Sequence, residues 1–289
     1  MKVKRARELG FCFGVKKTLK LFDDMGDDSQ AVQTLGTLVH NPQVVESLKK
    51  RGVTVIGDVA NVASGTLTIT AHGASPNSIA EAEAKGLRVI DTTCPLVTKV
   101  QKIAQDLHQA QHQVVVFGDA THQEVRGIVG WTENTALVST NAKELVPRLI
   151  ALTRSGKRVP KRIAIVSQTT QPASRFKQFV SDLFDQLPDD FREIQVHNTI
   201  CEPTLDRQSA VIDLAEEVDV MIVVGGHESA NTRHLAEISE EEGVTTYHVE
   251  WPDELRREWF DQRSVAGVTA GASTPDDVID EVVARIESY

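Results

Sequence analysis

The sequence predicts an α/β protein made of three repeated units, each with a small parallel sheet. Three observations predict it. First, Cys12 and Gly36, Cys94 and Gly118, and Cys201 and Gly225 are each separated by the same 24 positions. Second, each glycine ends a short aliphatic or β-branched run: Val32-Gln-Thr-Leu-Gly36, Val114-Val-Val-Phe-Gly118 and Met221-Ile-Val-Val-Gly225. Third, a second such run follows in every unit and closes on small polar residues and a proline. Self-similarity on this scale marks a repeated supersecondary unit, here of about 80–110 residues.

Each unit begins with its cysteine, followed by a segment at helical spacing. Lys99–Gln111 places Val100, Ile103, Ala104 and Leu107 on one face, and Gln208–Glu217 does so with Val211, Ile212, Leu214 and Ala215. The first strand and its glycine-led polar loop come next. The second strands end in Leu67-Thr-Ile-Thr-Ala-His-Gly-Ala-Ser-Pro76, Ile163-Ala-Ile-Val-Ser-Gln-Thr-Thr-Gln-Pro172 and Val265-Ala-Gly-Val-Thr-Ala-Gly-Ala-Ser-Thr-Pro275. Proline is favoured in a first helical turn, so each loop reads as a strand-to-helix turn. Strands alternating with helices imply parallel sheets covered by helices, whose ligands sit beyond the carboxyl ends of the strands. The units are expected at 13–93, 94–196 and 197–289, with a strand in 1–12 packing near the third. Arg154–Arg162 is the one basic cluster, expected as an exposed connection.

Composition removes several classes. With 40% apolar and 25% charged residues the chain matches soluble globular proteins, not disordered or collagen-like ones. A net charge of −10 lacks the basic face that nucleic-acid binding needs. The longest aliphatic runs, such as Val220–Val224, fall far short of the roughly 20 residues of a membrane span. Met1–Phe13 is basic without an apolar core, so no secretory signal is expected. Three scattered cysteines make no disulfide framework, and the expected setting is reducing and cytoplasmic.

All three cysteines precede predicted helices, whose N-termini favour the thiolate, the metal-binding form. A lone cysteine is often just a small buried hydrophobe. Three at equivalent repeat positions argue against that here. Soft thiolates select zinc, copper(I) or iron–sulfur clusters. Structural zinc usually brings close cysteine pairs and a fourth ligand, and no C-x-x-C exists in this chain. A [4Fe–4S] cluster normally takes four cysteines, so three leave one iron open to a substrate oxygen.

His40, His72 and His122 fall in strand-end loops, off any apolar stripe. Asn41, Ser75, Thr169, Thr170, Ser229, Asn231 and Ser273 lie at the same level of the repeat. Such donors, with loop amides and helix N-termini, suit an anion, phosphate above all. Gly225-Gly226-His227 is no dinucleotide fingerprint. Glu124 is the one carboxylate in these loops placed to donate a proton. Its plainer reading is a helix-capping carboxylate.

Gly10-Phe-Cys-Phe-Gly-Val15, Val39-His-Asn-Pro-Gln-Val-Val45, Ala71-His-Gly-Ala-Ser-Pro76, Asp91-Thr-Thr-Cys-Pro-Leu-Val-Thr-Lys-Val100, His122-Gln-Glu-Val-Arg-Gly127, Ser167-Gln-Thr-Thr170, Thr199-Ile-Cys201, Arg207-Gln208 and Ala270-Gly-Ala-Ser273 together resemble the LytB family, the 4-hydroxy-3-methylbut-2-enyl diphosphate reductases. The resemblance runs in family order from residue 10 to about 280. It implies three α/β domains in pseudo-threefold arrangement around a [4Fe–4S] cluster. It implies reductive loss of the hydroxyl of the allylic diphosphate, giving isopentenyl and dimethylallyl diphosphate in the last step of the non-mevalonate isoprenoid pathway. Cys12, Cys94 and Cys201 would hold the cluster. His40, His72, His122, Ser229, Asn231 and Ser273 would hold the diphosphate, beside Asn41 and Ser75. Glu124 would relay protons with His122, and Thr169 would orient the substrate hydroxyl. A ferredoxin- or flavodoxin-type donor would supply electrons, with no nucleic-acid or membrane partner.

The chain departs from the family pattern in Gln123, where proline is usual, in Ala230, where a second serine can stand, and in Pro203, where alanine is commoner. Two other readings stand beside this one. A three-cysteine cluster enzyme resembling quinolinate synthase would dehydrate or condense and need no electron donor. A non-enzymatic iron–sulfur sensor would have no use for so many polar loop residues.

Overall fold

A computed structural model describes residues 1–24, 32–154, 161–189 and 191–289. The basic run at Arg154–Arg162 lies largely outside the described residues. The element order is β1 (Lys2–Arg5), α1 (Phe13–Asp24), β2 (Val32–Leu35), α2 (Pro42–Lys50), β3 (Thr54–Ile56), β4 (Thr66–Ile69), α3 (Pro76–Ala84), β5 (Arg88–Asp91), α4 (Pro95–Gln109), β6 (Gln113–Phe117), α5 (Gln123–Gly130) and β7 (Leu137–Val138). It continues through α6 (Ala142–Arg154), β8 (Arg162–Ser167), α7 (Ala173–Gln186), β9 (Glu193–Val196), α8 (Glu202–Ala215), β10 (Val220–Val224), α9 (Ala230–Glu241), β11 (Thr245–Val249), β12 (Val265–Ala270) and α10 (Asp276–Glu287). The strands form three four-stranded sheets, ordered β3-β2-β4-β5, β7-β6-β8-β9 and β1-β12-β10-β11, and every pairing is parallel. This is the α/β class that the strand–helix alternation predicts.

In each sheet the two strands ahead of the polar loops are central neighbours. Leu35 pairs Ile69, Phe117 pairs Ser167 and Val224 pairs Ala270, so both loops of a pair leave the sheet at one level. The sequence repeat therefore has a direct geometric counterpart.

The described chain separates into two compact units. One comprises the described part of Met1–Ser29 with Thr37–Val53 and Cys201–Tyr289; the other comprises the described part of Gln30–Gly36 with Thr54–Ile200. In the first, β10 divides its residues by the strand period of two. Val220, Ile222 and Val224 pack with Val268, Ile279 and Val282 on one face; Met221 and Val223 pack with Val211, Leu214 and Leu235 on the other. In the second unit, Val114, Val116, Ala164 and Val166 pack under Val100, Ala104, Val125 and Ile128. Phe117 lies against Phe176 and Phe179. The sheet of β2–β5 has a smaller core around Leu67, Val59, Val62, Ala82 and Leu87.

Two helix readings are corrected by several residues. The fourth helix runs Pro95–Gln109, not Lys99–Gln111, because Gln111 turns out of it at φ 63°. The eighth runs Glu202–Ala215, not Gln208–Glu217, and Ile212 on it is exposed while Thr204, Arg207 and Gln208 are buried. In α8 the apolar periodicity sets in late because Thr204, Arg207 and Gln208 are the buried residues of its first two turns, whereas in α4 the first turn buries Val97. Among the described residues, no helix is long and apolar enough to cross a membrane.

Candidate functional site

The cysteines stand where helices begin. Cys94 and Cys201 are the N-cap residues of α4 and α8, and Cys12 immediately precedes α1, its carbonyl accepting Lys16 N–H at 3.0 Å. Pro95 and Pro203 occupy the first two helical positions after their cysteines. No disulfide joins the three, and each is partly exposed. Hydrogen bonds hold the segment at or just ahead of each cysteine against a strand end. Cys12 N–H donates to Ala272 O at 3.0 Å, and Cys94 N–H donates to Ala71 O at 3.1 Å. Both acceptors lie two residues past the ends of their strands, β12 and β4. Ahead of Cys201, Thr199 Oγ1 accepts Ser167 N–H at 2.7 Å and donates to Ser167 O at 2.5 Å, at the end of β8. A thiol at a helix start, outside any disulfide, is the kind of group that ligates a soft metal.

In the first unit the segment of His40 and Asn41 lies against Gly226, in the β10–α9 loop that leads to Ser229 and Asn231, while Ser273 follows β12, the neighbour of β10. Asn41 caps α2: its Oδ1 accepts Val44 N–H at 3.1 Å. Ser229 caps α9 by accepting Thr232 N–H at 3.3 Å. Both roles are ordinary N-caps, a structural use that the functional reading of these residues did not include. Yet Asn41 is 1% and Asn231 5% exposed, and among the described residues neither side-chain Nδ2 has a partner. Buried donors are normally paired, so two orphaned amides at strand ends point to an acceptor-rich ligand. Gly226 lets this loop lie flat on the His40 carbonyl: a Cβ there would meet that oxygen at 2.3 Å. Burial holds the His40 imidazole below its ordinary pKa, with Glu228 pulling it back up and Arg233 pushing it further down.

In the second unit His122 caps α5, its Nδ1 accepting Glu124 N–H at 3.2 Å. The His72 and His122 rings meet edge to face at 5.4 Å. Glu124 is not a helix cap. It is 2% exposed and reaches across to Thr169, accepting the backbone N–H at Oε1 (2.7 Å) and the hydroxyl at Oε2 (2.8 Å). Burial raises its pKa to about 7 against the opposing effect of those two bonds. A carboxyl group poised near neutrality is suited to proton transfer. Ser75 is placed differently. It caps α3 and lines a cavity of about 300 Å³ with Ser78, Gln123 and Arg126, a cavity that His72, His122 and Glu124 do not line.

Two contributors were not legible from residue patterns. Arg207, 3% exposed, donates from Nη2 to Gly10 O and from Nη1 to Pro203 O, both at 2.7 Å. It thus ties the segment before Cys12 to the helix after Cys201. Gln123 donates from Nε2 to Leu35 O (2.6 Å) and to Thr70 Oγ1 (3.0 Å). Thr70 Oγ1 lies 3.4 Å from His72 Nδ1. Gly36, at φ 79°, makes room for this amide, since a Cβ there would fall 2.2 Å from Gln123 Oε1.

Known proteins match this arrangement over its whole length. The family model of the LytB protein covers residues 3–287. A protein of Trichlorobacter lovleyi named 4-hydroxy-3-methylbut-2-enyl diphosphate reductase is 40% identical, with 99% of this chain and 98% of the relative aligned. A solved structure of (E)-4-hydroxy-3-methyl-but-2-enyl diphosphate reductase, described as the terminal enzyme of the non-mevalonate pathway, is 38% identical. It superposes over 100% of both chains with a TM-score of 0.69. The structure of the Plasmodium falciparum E-1-hydroxy-2-methyl-but-2-enyl-4-diphosphate reductase, 25% identical, covers 98% of this chain and 87% of its own, with a TM-score of 0.87. Matched by the family model over residues 3–287 and 40% identical to a relative over almost its whole length, this chain belongs to the LytB family.

Proposed function

We propose that the chain reduces 4-hydroxy-3-methylbut-2-enyl diphosphate to isopentenyl and dimethylallyl diphosphate, using a [4Fe–4S] cluster held by Cys12, Cys94 and Cys201. The observation that carries this reading is the equivalent station of the three thiols, each at the start of a helix. Two electrons and two protons enter, the C–O bond breaks and water leaves. The cluster would supply the electrons and, with three thiolates, one iron open to the substrate hydroxyl.

The remaining work falls to side chains. His40, His72, His122, Asn41, Ser75, Ser229, Asn231 and Ser273 bind the diphosphate through nitrogen and hydroxyl donors. The Nδ2 groups of Asn41 and Asn231 have no competing acceptor among the described residues. Glu124 carries a proton near neutral pH and passes it through the Thr169 hydroxyl, which contacts Oε2 and orients the departing hydroxyl. Units 13–93, 94–196 and 197–289 each contribute one cysteine or the loops around it, and residues 1–12 join the third through the β1–β12 pairing. The setting is cytoplasmic, the electron donor a ferredoxin- or flavodoxin-type protein, and nucleic acid and membrane play no part.

Anaerobic purification followed by Mössbauer spectroscopy tests this. The expected chain is brown, with iron at a distinct site whose spectrum shifts when the allylic diphosphate is added. Turnover should require reduced ferredoxin. A colourless chain overturns the cluster, and turnover without any reductant overturns the reaction in favour of a dehydratase.

A further inference from the structure

Arg207 places a permanent positive charge in the interior without a counter-charge of its own. The guanidinium does not deprotonate in proteins. Arg207 is 3% exposed, and its two hydrogen-bond acceptors, Gly10 O and Pro203 O, are neutral carbonyls. Its Nε has no partner, and among the described residues no carboxylate forms an ion pair with it. Asp276 lies against Gly10 but is solvent-exposed, and Glu202, in the first turn of α8, is exposed as well. A buried charge is tolerated when it is paired or coordinates an ion.

The setting makes the imbalance larger. Arg207 sits on the second turn of α8, whose N-terminal end carries a partial positive charge of the same sign. Cys201 caps that end. Gly10 precedes Cys12 by two residues, and Pro203 follows Cys201 by two. Two positive fields therefore meet at the segments that carry two thiols. That arrangement favours an anion at those thiols.

We propose that Arg207 is the fixed counter-charge for the thiolate-held cluster at Cys12 and Cys201, a positioning residue that also sets its potential. Its two carbonyl bonds hold the cysteine segments in register. Its charge stabilises the cluster's more negative, one-electron-reduced form over the oxidised form, and so raises the midpoint potential. The assignment rests on the cluster proposed above.

The test compares the full-length, anaerobically purified wild type with Arg207→Gln and Arg207→Lys. Three quantities are read: iron and sulfide per chain, midpoint potential without substrate, and melting temperature with and without iron. Arg207→Gln should lower the potential, and Arg207→Lys should recover most of that shift. Arg207→Gln should also destabilise the iron-loaded chain more than the iron-free one, because only the loaded chain has the anion. An unmoved potential at full iron content overturns the assignment. So does an equal loss of melting temperature in both forms, which marks a merely structural arginine; if Arg207→Gln retains no cluster, the iron-free chains decide the case, an unchanged melting temperature supporting the assignment and a lowered one overturning it. A wild type that binds no iron overturns the cluster proposal itself, and Arg207's role with it. An iron-bearing chain with an unmoved potential overturns only Arg207's role.

Discussion

Glu124 takes both hydrogens that Thr169 has to give, the backbone N–H at 2.7 Å and the hydroxyl at 2.8 Å. A carboxylate held this way would ordinarily become more acidic, yet burial outweighs both bonds and its pKa rises to about 7. The pair joins the first turn of α5 to the loop after β8, so the carboxyl and the hydroxyl come from two different segments beyond strand ends.

Replacing Glu124 with Gln keeps the shape and the bond to the Thr169 amide but cannot cycle a proton. Turnover should fall by at least about two orders of magnitude with near-normal substrate binding. A raised pKa disfavours the charged form in the fold. The stability the wild type has below pH 4.5 is therefore lost as pH rises through about 7, by about 3 kcal/mol at the limit. Glu124→Gln should escape that loss. Denaturation midpoints of both proteins at pH 5 and pH 8.5 check it: parallel curves would mean that Glu124 is not desolvated as the structure has it.

Cys12→Ser, Cys94→Ser and Cys201→Ser should each abolish retention of the cluster. Two thiolates leave too few anchors, and a hydroxyl is a poor substitute for a soft ligand. Iron analysis and the visible spectrum decide this. Any one variant with normal iron would remove that cysteine from the ligand set.

His40→Ala and His72→Ala should weaken diphosphate binding and leave iron content unchanged. A hydrogen bond to a charged group contributes roughly 1.5–3 kcal/mol, so each loss should cost on the order of ten- to a hundredfold in affinity. Calorimetric titration with the diphosphate measures it, and unchanged affinity in both variants would end the anion-site assignment.

Gln123→Ala removes two hydrogen bonds, to Leu35 O and Thr70 Oγ1, and should cost about 1–3 kcal/mol. Gln123→Pro should cost less, because proline at the first helical position pre-sets the backbone and gives up an N–H that the helix does not use. Urea unfolding of the three proteins ranks them. A Pro variant less stable than the Ala variant would contradict the geometry.

The sequence shows most of the fold because the repeat is written in residues with strong local meaning. The cysteine-to-glycine interval brackets one helix and one strand, and Pro76, Pro95 and Pro203 stand where helices start. The site is less legible for a physical reason. At a strand end, serine, asparagine and histidine serve equally as helix caps and as ligand donors, and Ser75, Ser229, Asn41 and His122 all cap. Spacing does not separate the two uses. Among these caps Asn41 declares a second one by leaving its amide nitrogen unmatched, as does the nearby non-capping Asn231. Arg207 and Gln123 stand in the pattern without a role, because they reach backbone carbonyls far away in sequence, at Gly10 and Leu35. Glu124 reads as a capping carboxylate until Thr169, 45 residues on, is folded against it.

Asn41 divides its amide, with its oxygen fastened to Val44 N–H and its nitrogen without a partner among the described residues. That division exposes it to a particular kind of ageing. Deamidation to aspartate would keep the oxygen cap, so the helix would survive, while turning the unpartnered donor into a negatively charged acceptor. The reaction proceeds by attack of the following residue's backbone nitrogen on the side-chain carbonyl. Here that residue is Pro42, which has no N–H to give. The proline that starts α2 thus also protects the chemical identity of its neighbour over the lifetime of the protein.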